Sequence, residues 1–544
     1  MPYQTLMKNR PLALIHKGRI AILLAACCVA LPASLTAQTA ASATSPGTPA
    51  ATLPLLGDGS AMASAEERRL GDRIAREIFR DPDYLDDPVL SDYVQGVWQP
   101  LLAAARSRGD LTPELDERFA WRIMLGRDRT VNAFALPGGY LGVNLGLLAV
   151  VNSRDELASV LGHELSHVTQ RHISRLIAKD SAQTPWLIGA MILGALAASK
   201  NPEAGNALLV GGQAVAAQSQ LNFSRDMERE ADRIGFGVMT QAGFEAQGFV
   251  TMFDKLQQAA RLNDSGGYPY LRSHPLTTER IADMQSRMPL GAPHPVARTP
   301  LMNHAMMATR AKVLSDTGAD ALRVWQAQAD DADLHTAPAA KQAGILYGAA
   351  LAALQLRDTA LARHNLARLQ TLAASDASSA ESVRWLDAEI NLAARDQTPV
   401  QLAGLATRLG LTDTATPPLA SLRRPQLMLQ AQLALQTNQP TVLNALTQTL
   451  QTWLAAHPQD ALAWQVLGRL YAAQNQNLRA LRAEAEAQAA RLDYTGAMDR
   501  LRAAQDLVRS SEAAGSPADH IDASIIDTRQ RQIEALLKQQ ALNP

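Results

Sequence analysis

The stretch LASVLGHELSHVTQRHI, residues 157–173, carries two histidines four residues apart, with a glutamate directly after the first. On a helix that spacing leaves about 40° between side chains, so His163 and His167 face one way. Two imidazole nitrogens so placed can reach one zinc ion at the ~2.0–2.1 Å it prefers. Glu164 is turned about 100° away, beside such an ion, where its carboxylate can take a proton from a water. This is the HExxH arrangement, whose chemistry is metal-assisted hydrolysis. Leu157, Val160 and Leu161 make the start of the helix apolar and imply burial, and a buried His–Glu–His cluster is costly without a metal or partners.

A zinc site needs a third protein ligand. A histidine six residues after His167, with a glycine between, would complete one known class. Here His172 falls one residue short and Gln170 stands at the glycine position, so His172 reads as a solvated helix residue. The segment SRDMEREADRIGFGVMTQAG, residues 224–243, offers Glu228 and Asp232, again four apart on a helix. One carboxylate can ligate while the other hydrogen-bonds a ligand imidazole and fixes its tautomer.

These helices need a frame. Helical periodicity runs over residues 64–105, broken by the turn-forming RDPDYLDDP. FAWRIMLG, residues 119–126, reads as a strand. In residues 131–148, Pro137, Gly138 and Gly139 join two apolar stretches as a hairpin or sharp turn. Ser153 or Asp155 can cap the histidine helix, and Gly243 can stop the second one. Residues 185–198, PWLIGAMILGALAA, are too short to span a bilayer, which takes about 20 apolar residues; a buried or interface-seeking helical hairpin fits them better.

At 544 residues the chain exceeds one core. With 47% hydrophobic and 4% aromatic residues it reads as helix-rich. Lys8, Arg10, Lys17 and Arg19 precede an apolar run at 20–31, the pattern of an export signal cleaved after Ala37 or as late as residue 43. Both cysteines, Cys27 and Cys28, lie inside it, and LAAC ending at Cys27 also fits a lipoprotein signal. Net charge is −1, and about −5 once the four signal cations are removed, which excludes a basic nucleic-acid footprint. Residues 38–60 read as a flexible leader.

MPLGAPHPVARTP, residues 288–300, concentrates four prolines and marks a boundary. Beyond it, WQVLGRLY at 464–471 matches the tetratricopeptide pattern W-x2-L-G-x2-Y, with Pro458, Ala480 and Ala487 at supporting offsets. Gly348, Leu351, Ala360 and Ala367 repeat the spacing, while Glu484 sits where a bulky apolar residue belongs, so the repeats are degenerate.

Four segments, NAFALPGGYLGVNLGLL, DELASVLGHELSHVTQRH, SRDMEREADRIG and SHPLTTER, occur in the order found in HtpX-like and CAAX-prenyl-protease-like zinc peptidases, which the chain resembles. With an export signal and a tetratricopeptide tail, it looks like the periplasmic branch of that family. The resemblance implies one zinc ion per chain on His163, His167 and Glu228, Glu164 as catalytic base, and Asp232 supporting a ligand. It implies His274 at the metal's fourth position as a latching ligand, Arg280 near the catalytic centre, and an edge strand in 131–143 that pairs with substrate. The expected fold is mainly α (α+β): a zincin-like helical metallopeptidase domain with a small sheet over 61–290, a Pro-rich linker at 291–302, and an α-solenoid over 303–544. The expected activity is periplasmic endopeptidase and chaperone action on misfolded or stalled outer-membrane β-barrel proteins, with the β-barrel assembly machinery met by the repeats and peripheral membrane contact left open. The alternative is a non-proteolytic tetratricopeptide chaperone or scaffold.

Overall fold

The computed structural model describes residues 62–179, 224–261, 267–288, 301–394, 397–411, 421–513 and 520–541. The export signal, the leader, the apolar run at 185–198 and residues 289–300 of the proline-rich stretch lie outside them. Among the described residues no helix is long and apolar enough to cross a membrane.

The turn chemistry at 80–88 separates a helix Ser64–Arg80 from a helix Pro88–Arg108. Asp87 caps the second by accepting from Leu90 N–H, Pro88 opens it, and Gly109 closes it in the left-handed region. Between them Tyr84–Leu85 forms β1, which pairs antiparallel with β2, Arg122–Gly126. β3, Ala133–Leu136, and β4, Tyr140–Asn144, form the expected hairpin, and the sheet order is β1-β2-β4-β3 with β2 and β4 parallel. Gly138 and Gly139 turn the hairpin at φ 73° and 85°, values that suit residues without a Cβ. The edge is narrower than expected: within residues 131–143 only β3 lies at an edge of the sheet, whereas Tyr140–Asn144 runs inside it.

The histidine helix spans Arg154–Thr169, with Ser153 accepting from Glu156 N–H as its cap. The carboxylate helix spans Arg225–Gln241, capped by Ser224, with Gly243 at φ 85° just beyond its end. The two cross at Gly162 and Gly235. A Cβ on Gly235 would lie 2.9 Å from both Gly162 C and His163 N, so the backbones touch where the metal ligands begin.

The rest is helical, each helix from Met302–Ser315 to His520–Ala541 packing on its chain neighbours. The pair Ala461–Ala473 and Asn477–Ala490 contains the tetratricopeptide-like residues: Gly468 meets Ala480 O, and Trp464 Nε1 donates to Pro458 O. Glu484, at the bulky apolar position, pairs with Arg500 of the next helix at 3.3 Å, replacing apolar packing by an ion pair.

One apolar cluster runs from Val89 and Trp98 through the histidine helix to Tyr347, Trp385 and Leu433, so the first tail helices share the peptidase-side core. Buried Arg310 grips Asp87 at 2.6 Å and 2.9 Å and Glu389 at 2.7 Å and 2.9 Å across this junction. Arg424 pairs with both Asp86 and Asp460. A second contact lies further along: Leu492 joins the cluster of Leu70, Ile74, Phe79 and Tyr140, and Arg122 donates to Ala490 O. His304 stitches the first junction, Nε2 donating to Val151 O while Nδ1 meets Tyr93 Oη at 2.6 Å. Burial lowers the His304 pKa, so the folded protein holds it neutral.

Two predictions follow from these contacts. Gly235→Ala must push the crossing helices apart, costing about 1–3 kcal/mol and weakening zinc binding; unchanged denaturant unfolding and zinc affinity would refute the close crossing. Because the folded His304 pKa lies below its unfolded value near 6.5, its contribution to stability is present above that pH and is lost as pH falls toward the folded value. His304→Gln should therefore flatten the decline in Tm between pH 7 and 5. Parallel curves for the two proteins would refute this.

Candidate metal centre

His163, His167, Glu228 and His274 each present one ligand atom, and these atoms lie within 4.8 Å of one another, all four residues buried. His163 Nε2 is 3.0 Å from His167 Nε2 and 3.3 Å from His274 Nδ1. Glu228 Oε1 is 3.0 Å from His274 Nδ1 and 3.4 Å from His167 Nε2. A tetrahedron with bonds of about 2.05 Å has edges of about 3.3 Å, so the separations suit zinc. The crossing at Gly162 and Gly235 brings two of the elements together. The third arrives by the helical turn Tyr270–Ser273, after which His274 N–H donates to Tyr270 O. Tyr270 stacks on the His274 ring at 4.6 Å and 30°.

The donor set calls for a cation. His163 Nδ1 makes a short but poorly aligned approach to Asp232 Oδ1 at 2.9 Å, and its Nε2 faces the centre. Glu228 Oε2 lies 2.8 Å from Arg280 Nη1 without a well-directed hydrogen bond. Burial works against a charged His163, yet the carboxylates of Asp232 and Glu228 outweigh it and hold its pKa near about 10. Burial likewise opposes ionisation of Glu228, but His274 and His163 keep its carboxyl well below the usual range. Burial, reinforced by the charge of His163, drives His167 well below its ordinary value. The pocket is thus built for positive charge at its centre, which the fit to a divalent zinc ion satisfies.

Glu164 is fully buried. Its Oε2 accepts from Ala135 N–H of β3 at 2.9 Å, while Oε1 has no hydrogen-bond partner and lies 3.5 Å from His274 Nε2. Burial raises its pKa. Ala135 therefore turns its amide away from β4 toward the centre, so the free edge of β3 borders the site. Asp232 and Arg280 form a buried two-pronged pair at 2.6 Å and 2.8 Å, and Arg280 also donates to Pro275 O. Arg280 thus stands behind the ligands, bracing the carboxylates. All seven residues expected at the site are brought together.

His172 corrects the sequence reading. It is fully buried, not solvated, with Nδ1 2.9 Å from His167 Nδ1 and Nε2 3.1 Å from Glu230 Oε2. A continuous helix would turn it away. The helix instead breaks at Gln170–Arg171, Arg171 takes φ 53°, and a new helix starts at His172. Arg171 is held in that conformation by Glu67 at 2.8 Å and by Met62 O. Burial lowers the His172 pKa to about 4 against the pull of Glu230. Glu230 and the Ala135 amide were also missed. No residue-type signal marks a backbone amide, and a break involving a non-glycine left-handed residue has no sequence signature.

The model of peptidase family M48 matches residues 112–288. Among curated proteins, the putative β-barrel assembly-enhancing protease of Vibrio cholerae serotype O1 is 33% identical over 305 residues, covering 55% of this chain and 59% of the relative. The β-barrel assembly-enhancing protease of Escherichia coli K12 is 32% identical over 242 residues, 43% of this chain and 47% of the relative. The mitochondrial metalloendopeptidase OMA1 of Saccharomyces cerevisiae is 28% identical over 205 residues, 37% and 56% of the two chains. The chain thus spans about half the length of the curated relatives it matches. The matched segment contains both crossing helices, the hairpin and every ligand described above, so over residues 112–288 the chain is similar to peptidase family M48.

Proposed function

We propose that the chain is a zinc-dependent endopeptidase acting in the periplasm on misfolded or stalled outer-membrane β-barrel proteins. The reading rests on one observation above all: a buried four-ligand cluster lies next to a glutamate whose one oxygen is anchored and whose other is unpartnered. The relatives' names support the peptidase class and suggest the substrates. The amino-terminal signal pattern supports export.

His163, His167 and Glu228 would hold the zinc, which supplies Lewis acidity toward a carbonyl and a water when bound. Glu164 does the proton work. Oε2 stays on the Ala135 amide, and Oε1 takes a proton from the attacking water and returns it to the leaving amine. Its raised pKa suits a base that must hold the proton between the two steps. The outward edge at Ala133 and Ala135 can add an extended substrate strand, placing a peptide carbonyl beside Glu164. Asp232 fixes the His163 tautomer, and Arg280 keeps both carboxylates in register. His274 would take the remaining ligand position, and the centre would then open to water only when this ring swings out. The helical tail offers client or partner surfaces, with the assembly machinery for outer-membrane barrels as the proposed partner.

The second reading, a non-proteolytic chaperone, draws on the burial of the centre and its filled fourth position. Metal analysis with casein digestion separates the two. Zinc with activity, lost on chelation and restored by zinc, supports the peptidase; zinc without activity under any condition supports the chaperone. Glu164→Gln should retain zinc and lose about 10²–10⁴-fold in turnover, and retained cleavage would remove Glu164 from its role. His274→Ala should raise cleavage of unfolded protein; unchanged or lower rates would defeat the latch.

A further inference from the structure

We infer that His172 and Glu230 form a positioning relay that sets the tautomer and orientation of the ligand His167. The inference rests on the metal-site reading above. His167 Nε2 lies 3.0 Å from His163 Nε2 and 3.4 Å from Glu228 Oε1, facing the ligand cluster, so a neutral, ligating ring must carry its proton on Nδ1. That nitrogen lies 2.9 Å from His172 Nδ1, and two ring nitrogens at this distance need one donor and one acceptor. His172 must then accept at Nδ1 and carry its own proton on Nε2. Nε2 in turn lies 3.1 Å from Glu230 Oε2, a carboxylate oxygen that can only accept when ionised. Arg175 Nη1 donates to the same oxygen at 2.9 Å and keeps it charged and in place.

Every hydrogen bond in the series therefore points one way. His167 donates to His172, His172 donates to Glu230, and the carboxylate ends the chain. Reversing any member would put a proton on His167 Nε2, where the cation belongs. The two ligand imidazoles of the HExxH helix are thus supported differently: His163 meets Asp232 directly, whereas His167 reaches its carboxylate through an intervening ring. The helix break at Gln170–Arg171 makes this geometry, because it returns His172 to the face it would otherwise leave. Glu230 lies two residues from both Glu228 and Asp232 and faces outward from their side, its side chain 29% exposed.

The test is zinc affinity of the full chain at pH 7, measured by competition with a chromophoric chelator, with apo-protein thermal unfolding alongside. Partners outside the ligand set commonly contribute 10–100-fold to metal affinity. Glu230→Gln, a partly exposed and conservative change, should weaken zinc binding by about 10-fold while leaving apo unfolding in place. His172→Phe fills the same volume without a hydrogen bond and should cost at least as much affinity. The double variant should be no weaker than His172→Phe alone, since both remove one chain of bonds. Glu230→Asp should recover part of the loss. Unchanged zinc affinity in Glu230→Gln, or additive losses in the double variant, would overturn the relay. Failure of the unaltered protein to bind zinc would instead defeat the metal-site reading beneath it.

Discussion

Three imidazoles and a carboxylate, all buried, turn ligand atoms toward one point, and such an arrangement is costly unless positive charge sits at its middle. Much of the surrounding architecture serves that one constraint. The histidine helix supplies two donors, the carboxylate helix supplies one, and a short turn brings the fourth. Glycine at both crossing positions lets the backbones come close enough for the donors to meet. Around them Asp232, Arg280 and the ring of Tyr270 fix orientation instead of adding ligands. Glu164, Glu228 and Asp232 outnumber the single guanidinium of Arg280 within the buried shell, so the centre favours a cation.

The sheet contributes by its border. Strand alternation puts successive backbone amides on opposite sides, and the hairpin at Pro137–Gly139 sets which side of β3 faces the site. Glu164 is thereby tied to the same strand edge that a peptide can extend. The free edge of β3 and the Glu164 carboxylate are joined through one backbone group, the Ala135 amide.

Much of this was legible in the sequence, because the residues concerned follow local rules. Four-residue spacing put His163 with His167 and Glu228 with Asp232 on common helix faces; Ser153 caps where its side chain predicts. The Pro-Gly-Gly turn announced the hairpin. What escaped was set by long-range contacts. His172 lies inside because Arg171 leaves the helical region to meet Glu67, more than a hundred residues earlier in the chain. Residues Leu145–Val150 look like a continued strand but coil into a helix against the tail helix Met302–Ser315, a contact no local pattern encodes. The apolar cluster that joins the two regions is likewise invisible, since alanine-rich helices look the same whether they pack on each other or on a neighbouring fold.

The return of the tail near Leu492 has a mechanical meaning. Its apolar contact with Phe79 and Ile74, and the bond from Arg122 to Ala490 O, tie these later helices to the helix Ser64–Arg80 and to β2. The helical array is therefore held to the preceding fold at several points along its length, at Arg310, at Arg424 and again near Leu492. A load applied near Leu492 is delivered to β2, whose parallel partner β4 carries the hairpin, so tension there reaches β3 through two rungs of backbone pairing.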